Sequence, residues 1–397
     1  MDTRATTGYM RVALRLAKRG YGTTSPNPMV GAVLVKAGQI IGRGWHHRAG
    51  APHAEIEALR DAEKRGHSPK GATLYVTLEP CCTHGRTPPC TKAIIAAGIK
   101  KVVVAATDPN PRHSGRAFHL LKRAGLKVVH GVLAEECQRL NEAFNHWIVH
   151  RTPLVTVKAA MTLDGKIATA SGESKWITSE PARAYGMKLR QGADAILVGI
   201  NTVLADDPSL TRRTRKLPTP NSQLPTPALR RLVLDAKART PLNARVVRDA
   251  WTGLTTIVVS KSAPKQRVAA LARHVRVLVA PLAKAPRAAD GVARQPCIDL
   301  RWLLKKLGSE QISNLLVEGG GEVNASFLLP GLAHRVAFFY APKILGGRDA
   351  RKAVAGEGVR TLGEAPVLTD VKWRRLGPDW LLTGKVESCR FSKPGSE

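Results

Sequence analysis

The sequence predicts an α/β protein of two domains, and three observations predict it. At 397 residues the chain is longer than one ordinary hydrophobic core fills. Short runs rich in Val, Ile and Leu alternate with segments of helical period along its length. A helical segment ending near residue 150 is followed by Pro153, after which the alternation begins again. Apolar residues make up 43% of the chain, enough for two cores. No run of about 18 uninterrupted apolar residues predicts a membrane span.

The elements follow in order. In "MDTRATTGYMRVALRLAKRG", Met10, Ala13, Leu14 and Ala17 fall at i, i+3, i+4 and i+7, and Gly20 closes the pattern. Its Arg-bearing, acid-poor composition also suits a transit peptide. It is read as the first helix of the fold because it leads straight into a motif at residue 26. No apolar segment of a secretory signal is present. "GAVLVKAGQIIGRGW" reads as two strands around Gly38. "HAEIEALRDAEKRG" reads as a helix with Ile56, Leu59 and Ala62 on one face. "GATLYVTLEP" is a strand ended by Pro80, "CTKAIIAAGIK" a helix and "KVVVAATDPN" a buried strand. "GRAFHLLKRAG" is a helix and "LKVVHGVL" a strand. "CQRLNEAFNHWIVHRTP" is expected to form one last helix and a connector. This is an α/β layered domain.

The second half opens with the strand "LVTVKAAMTL" and the turn "DGK". Strand-like runs follow at "ADAILVGINTV", "LRRLVLDA", "LTTIVVS", "VRVLVAP", "ISNLLVEGGG", "RVAFFYAPKIL" and "DWLLTGKVES". They alternate with helical segments such as "SEPARAYGMKLRQG" and "EVNASFLLPG". Residues 212–229, Pro-rich and basic, read as an exposed loop. The domains are expected at 1–149 and 150–390, with 391–397 as a tail.

The chain carries 62 basic and 30 acidic residues, net +32. Such a balance points toward nucleic acid, anionic membranes or phosphorylated ligands. The excess is spread in proportion to length, +12 over residues 1–150 and +20 over 151–397. No basic stripe interleaved with aromatics occurs, so no specific nucleic-acid or membrane partner is expected. Six cysteines in 397 residues do not make a disulfide scaffold. A reducing, cytoplasmic compartment is expected, where clustered thiols point to metal or catalysis.

Three of the six cysteines lie within "LEPCCTHGRTPPC". Upstream, "PHAEIEAL" places His53 and Glu55 where a loop enters a helix. One His and two Cys leave the fourth tetrahedral position of zinc open to water, as hydrolysis requires. Glu55 is not needed as a ligand and can carry the proton from that water to a substrate nitrogen. Zinc deaminases share H-x-E followed by P-C-x-x-C. Here the spacer from Cys81 to Cys90 is longer. Cys82 and His84 are nearer candidates for the next ligand. Adjacent cysteines rarely point into one tetrahedron, and His84, before Gly85, suits a turn that meets substrate. Cys90 opens a helix and can supply the helix-start ligand.

"TSPNPMVGAVLV", "GWHHRAGAPHAEIEAL", "TLEPCCTHGRTPPC" and "ATDPNPRHSGRA" resemble the pyrimidine deaminase domain of the bifunctional riboflavin-biosynthesis deaminase–reductase family, in which the long spacer is usual. The resemblance covers essentially the whole chain. It implies a cytidine-deaminase-like three-layer domain with zinc on His53, Cys81 and Cys90 and Glu55 as proton carrier. Asn27, His46 and His84 are implied to line the pyrimidine pocket. The implied substrate is a diaminopyrimidinone carrying a ribosylamino 5′-phosphate, which loses an amino group by hydrolysis.

"VKAAMTLDGKIATASGESKWITSEPAR", "GINTVLADDPSLTRR", "LVLDAKART", "LLVEGGGEVNASFL" and "APKILGG" resemble, in order, the reductase domain of the same family, of dihydrofolate-reductase-like fold. Physically, "VEGGGEVNASF" is a strand, a glycine turn and a helix start, which suits a phosphate; taken alone it suits a tight turn with no ligand equally well. The resemblance implies NADPH as hydride donor to the ribosyl carbon. The cofactor is implied to meet Ala160, Trp176, Thr202, Asp206, Ala236 and the segment Gly320, Gly321, Glu322, Val323, Asn324, Ala325 and Ser326. The phosphorylated substrate is implied to meet Lys158, Ser174, Arg190, Leu210, Arg213 and Glu318. Arg212 could stand in for Arg213, and Lys158 could equally be a solvated strand lysine. A homo-oligomer is also implied.

Overall fold

The structure is a computed structural model and describes residues 3–84, 88–212, 228–283 and 297–387. The predicted tail at 391–397, Arg213 and almost all of the Pro-rich loop lie outside the described residues. The chain forms two compact units, the first built on residues 1–152 and the second on residues 153–310 and 314–397.

The first unit runs α1 (Thr3–Ala17), β1 (Gly31–Lys36), β2 (Gln39–Trp45), α2 (Ala54–Lys64), β3 (Thr73–Leu78), α3 (Cys90–Ala96), β4 (Lys101–Ala106), α4 (Arg116–Arg123), β5 (Lys127–His130), α5 (Ala134–Leu140) and α6 (Glu142–His150). Its sheet has the order β2-β1-β3-β4-β5, with β1 antiparallel to both neighbours and β3, β4 and β5 parallel. Side chains alternate between faces along a strand. Gly31 presses on α1, while Gly42 and Gly44, two residues apart, press on α2. Gly44 pairs with Ala32, the neighbour of Gly31, so the two helices cover opposite faces and the unit has three layers.

The core face of α2 is Ala54, Ala58 and Ala62, with Glu55 also buried. Ile56 and Leu59, expected on the core face, are only half-buried. A methyl group at Gly42 or Gly44 would run into the carbonyls of Ala58 and Ala54. A stripe of alanines over two glycines therefore lets the helix approach closer than large side chains would allow. That approach sets the depth at which the start of α2 meets the sheet.

The last helix of this unit is divided. Asn141 stands between α5 and α6 with its side chain buried. Its Oδ1 accepts from Met29 N at 2.7 Å and its Nδ2 donates to Met29 O at 2.9 Å. Helical periodicity does not reveal such a tie across 112 residues.

The second unit runs β6 (Leu154–Thr162), β7 (Lys166–Ala168), α7 (Glu180–Gly192), β8 (Ala195–Gly199), α8 (Ile200–Asp206), β9 (Arg230–Leu234), α9 (Arg245–Arg248), β10 (Thr255–Ser260), α10 (Lys265–Ala272), β11 (Arg276–Ala280), α11 (Leu300–Ser309), β12 (Asn314–Val317), α12 (Gly321–Leu328), β13 (Arg335–Ala341), β14 (Arg351–Lys352), β15 (Val367–Leu376) and β16 (Asp379–Glu387). The sheet order is β11-β10-β9-β8-β12-β6-β13-β16-β15. It is parallel from β11 to β13, and β16 and β15 add antiparallel. The parallel strands β8, β9, β10 and β12 are the near-continuous apolar runs expected where both faces are covered. "ADAILVGINTV" is not one strand: it turns at Gly199 from β8 into α8.

Candidate functional site

His53 is the residue immediately before α2, Glu55 the second residue of that helix, and Cys90 the first residue of α3. Cys81 follows the end of β3. These elements bring one imidazole and two thiols together. His53 Nδ1 lies 3.5 Å from Cys81 Sγ and 3.3 Å from Cys90 Sγ, and all three donor atoms lie within 4.8 Å of one another. With ordinary zinc–nitrogen and zinc–sulfur lengths at a tetrahedral angle, a nitrogen and a sulfur ligand stand ~3.5 Å apart. The donor set and its spacing therefore fit zinc, with one coordination position left over.

The local electrostatics prepare a metal site. The Cys81 thiol is held down to about 4, first by a hydrogen bond from Cys90 and then, against burial, by His53. The Cys90 backbone N–H also points at Cys81 Sγ, at 3.3 Å. Cys90 is correspondingly pushed up by its bond to Cys81 and by burial. Glu55 is buried, and burial pushes its carboxyl up to about 7.

Asn27 and His46 complete one wall. His46 Nδ1 lies 3.1 Å from the Pro52 carbonyl, which can only accept, so Nδ1 carries the hydrogen. Nε2 is then an acceptor, and Asn27 Nδ2 meets it at 3.1 Å. Burial lowers the His46 pKa to about 4, so the ring is neutral. One N–H of the Asn27 amide is thus taken by His46, which leaves its second N–H and its oxygen for a ligand. A cavity of about 520 Å³ opens here, lined by Asn27, His46, His53, Glu55 and Cys81 and, across from them, by Asp108, Asn110 and His113.

His84 is exposed and does not line this cavity. Cys82 turns to His113, with Sγ 3.7 Å from Nδ1. The sequence reading did not single out Glu79, which is buried and ties the β3 end to the loop carrying Asp108 and His113. Its Oε2 accepts from Asp108 N at 3.2 Å and Gly115 N at 2.9 Å, and its Oε1 from Ala117 N at 3.0 Å.

In the second unit a cavity of about 760 Å³ lies beyond the carboxyl ends of β8, β9 and β12. Ser174, Thr202, Asp206, Gly320, Gly321, Glu322 and Val323 line it, as do Arg351 and Lys352, which the sequence did not mark. The three glycines of the turn do different work. A methyl at Gly319 would strike Val323, and one at Gly321 the Lys352 carbonyl; at Gly320 it would meet open space. Gly319 and Gly321 permit packing, and Gly320 leaves a bare backbone at the cavity. That cradle, at the start of α12, suits a phosphate. Farther along α12 the chain faces inward: Asn324 and Ala325 are buried, Asn324 Nδ2 bonds Ala353 O, and Ser326 Oγ bonds Val323 O.

Lys158, Arg190 and Glu318 form a charged cluster one residue before the glycine turn. Arg190 holds Glu318 through Nε at 2.8 Å and Nη2 at 2.9 Å, and Lys158 Nζ lies 3.5 Å away. Burial would raise the Glu318 carboxyl, but Lys158 and Arg190 outweigh it and hold it at about 2. Trp176 is 60% exposed, with the Arg183 guanidinium 4.6 Å from its ring centroid. Leu210 is buried, and Ala160 packs against the core of Ala337 and Phe339. Asp206 meets Lys175 at 3.5 Å, and Ala236 follows β9.

Comparison with known proteins agrees with this division. Residues 4–106 match the cytidine and deoxycytidylate deaminase zinc-binding region, and residues 153–382 match the RibD C-terminal domain. The riboflavin biosynthesis protein RibD of Actinobacillus pleuropneumoniae is 44% identical over 375 residues, 94% of this chain and 93% of that protein. That of Escherichia coli strain K12 is 42% identical over 378 residues, 94% of this chain and 96% of that protein. The solved structure of Acinetobacter baumannii RibD superposes with a TM-score of 0.81 at 34% identity, over 98% of this chain and 100% of that one. A Thermotoga maritima diaminohydroxyphosphoribosylaminopyrimidine deaminase/5-amino-6-(5-phosphoribosylamino)uracil reductase gives 0.78 at 34% identity, over 97% and 100%. Both halves, and the order in which they are joined, are those of riboflavin biosynthesis protein RibD, and the chain belongs to that family.

Proposed function

We propose that the protein performs two successive steps of riboflavin biosynthesis on one phosphorylated pyrimidine. In the first unit, 2,5-diamino-6-ribosylamino-4(3H)-pyrimidinone 5′-phosphate loses an amino group by hydrolysis. In the second, its ribosyl side chain is reduced to ribityl by NADPH. The observation that carries the reading is the buried Glu55 carboxyl two residues from His53, within a three-donor cluster that leaves zinc one free position.

His53, Cys81 and Cys90 would hold the zinc, which would supply an acidified water. Glu55 would carry a proton from the attacking water to the leaving amino nitrogen, so that ammonia departs. Asn27 orients the pyrimidine through its carboxamide, fixed in place by neutral His46.

In the second unit NADPH supplies the hydride. Gly320 and the residues that follow it would hold the cofactor, together with Thr202, Asp206, Ala236, Ala160 and Trp176. Ser174, Leu210, Arg213 and the cluster of Lys158, Arg190 and Glu318 take the phosphorylated substrate. Arg190, bound twice to Glu318, keeps that carboxylate charged and fixed. A domain boundary near residue 150 follows from the same reading. A homo-oligomer fits the edge strand β15, which exposes Val367, Val371 and Trp373. A cytoplasmic site of action fits the free state of the five described cysteines.

Incubation of the purified protein with the diaminopyrimidine phosphate tests the proposal. Ammonia is expected without NADPH, and oxidation of NADPH only after deamination. Absence of ammonia release alongside deamination of a cytidine or adenosine RNA would overturn it.

A further inference from the structure

Cys82 and His113 take no part in the His53 cluster or its chemistry. Cys82 is half-buried just past β3, and His113 is half-buried in the loop between β4 and α4. They stand 31 positions apart, yet Cys82 Sγ lies 3.7 Å from His113 Nδ1. Both are mounted on fixed backbone. Cys82 follows Cys81, whose carbonyl accepts from Thr91 N at 3.2 Å. His113 N donates to Asn110 O at 2.9 Å, and Glu79 ties both flanks of that loop through Asp108 N and Gly115 N.

The far side of the ring is engaged as well. His113 Nε2 lies 3.4 Å from Thr83 Oγ1. An Nε2–H that donates to this hydroxyl leaves the lone pair on Nδ1, the nitrogen facing the sulfur. Histidines that bind metals are oriented in this way, the ring nitrogen away from the metal giving its hydrogen to a neighbouring acceptor. A nitrogen and a sulfur on one tetrahedral zinc stand ~3.5 Å apart, and 3.7 Å needs only a small opening of that angle. Thiolate and imidazole both suit zinc.

Among the described residues, His53, Cys81 and Cys90 are the one group of three or more donors. The second pair therefore offers two protein donors, leaves the other positions to water, and fills after the first site. His113 and Thr83 line the same cavity as His53 and Glu55, so an ion held there takes up room the pyrimidine needs. We propose that Cys82 and His113 bind a second zinc ion, which with its waters obstructs the cavity and restrains the deaminase when zinc is in excess. The Cys82 thiol proton leaves to solvent as the zinc–sulfur bond forms. The inferred restraint rests on the reading of the first unit as a zinc deaminase. The competing use of the pair is a plain S–H···N hydrogen bond, which takes up no metal.

Calorimetric titration of zinc into the full chain already holding one zinc counts further sites, with ammonia release followed over the same zinc range. Wild type is expected to take up one more zinc and to lose deamination as it does. Cys82→Ser should deaminate as wild type does at one zinc per chain. It should need at least about tenfold more zinc for the same inhibition, since losing even a group that orients a ligand costs about that much affinity. His113→Ala should lose the second zinc likewise. No second zinc in wild type, or one of equal affinity in both variants, as for adsorption at the surface, would overturn the site. A second zinc lost in both variants, with wild-type deamination unimpaired by it, would overturn the restraint. Absence of ammonia from wild type at every zinc level would instead overturn the deaminase reading, while the zinc count still decides the second site.

Discussion

The side chain of Glu79 and the backbone of Ala117, 38 positions apart, are joined by a hydrogen bond of 3.0 Å. With the bonds from Asp108 and Gly115, a single buried carboxylate satisfies three backbone donors, two in the loop that shares the cavity with His53 and Cys81 and one in the first turn of α4. Glu79→Ala leaves all three without that acceptor, at about 1–3 kcal/mol for each buried group. The variant should unfold several degrees lower and bind the pyrimidine more weakly, with zinc still bound. Thermal unfolding and zinc stoichiometry check this. Glu79→Gln, which keeps one oxygen, should fall between it and the wild type.

Cys82 and its neighbour Cys81 should respond differently to the same change. Cys82 Sγ turns to His113, away from the His53 cluster. Cys82→Ser is expected to retain one zinc per chain. Cys81→Ser and Cys90→Ser are expected to lose most of it, which metal analysis after dialysis measures. Full zinc in Cys90→Ser would contradict the ligand set.

The glycine turn divides by position. Gly320→Ala adds a methyl into open space at φ −71°, ψ 178°, which any residue adopts. Its melting temperature should hold while the apparent affinity for NADPH falls. Gly321→Ala drives a methyl into the Lys352 carbonyl and should destabilise the unit by about 1–3 kcal/mol, as overpacking does. A Gly320 variant with normal cofactor affinity would place the diphosphate elsewhere.

Glu318 makes stability depend on acid. Its carboxyl is held at about 2 in the folded chain, against about 4.3 in an unfolded one. A depressed carboxylate contributes stability that is full above the unfolded value and is lost as pH falls toward the folded one. Part of the second unit's stability should therefore disappear between about pH 4.5 and pH 2. Glu318→Gln should flatten that limb, seen in denaturant titrations at several pH values. It should also cost about 3–5 kcal/mol at neutrality, because Arg190 is left buried without its partner.

Much of this architecture is legible in the sequence, for physical reasons. His53, Glu55 and Cys90 show because a helix start is marked by its neighbours, and because few residue types can hold zinc. The parallel strands show because strands covered on both faces become apolar runs. What stays hidden depends on contacts between distant segments. Asn141 divides a helix by bonding the Met29 backbone, and nothing near it in sequence announces that. The charged residues Lys372, Arg374 and Arg375 mask β15, an edge strand that needs no apolar alternation. Arg231 looks like a surface residue of β9, yet it is 1% exposed and paired with Asp249 at 2.6 Å. On α2 the sequence does not show that alanines make the closest approach: Ala54 and Ala58 sit over glycines of the sheet, while Ile56 and Leu59 pack half-buried at the edge of the same core.

The central claim is that Glu55 moves the proton while His53, Cys81 and Cys90 hold the metal. Glu55→Gln tests it most directly, read by zinc content and ammonia release on the same preparation. The account predicts one zinc per chain and a deamination rate lowered by about 10²–10⁴, the usual weight of a general acid–base group. Loss of zinc from Glu55→Gln, or ammonia release near the wild-type rate, would contradict it.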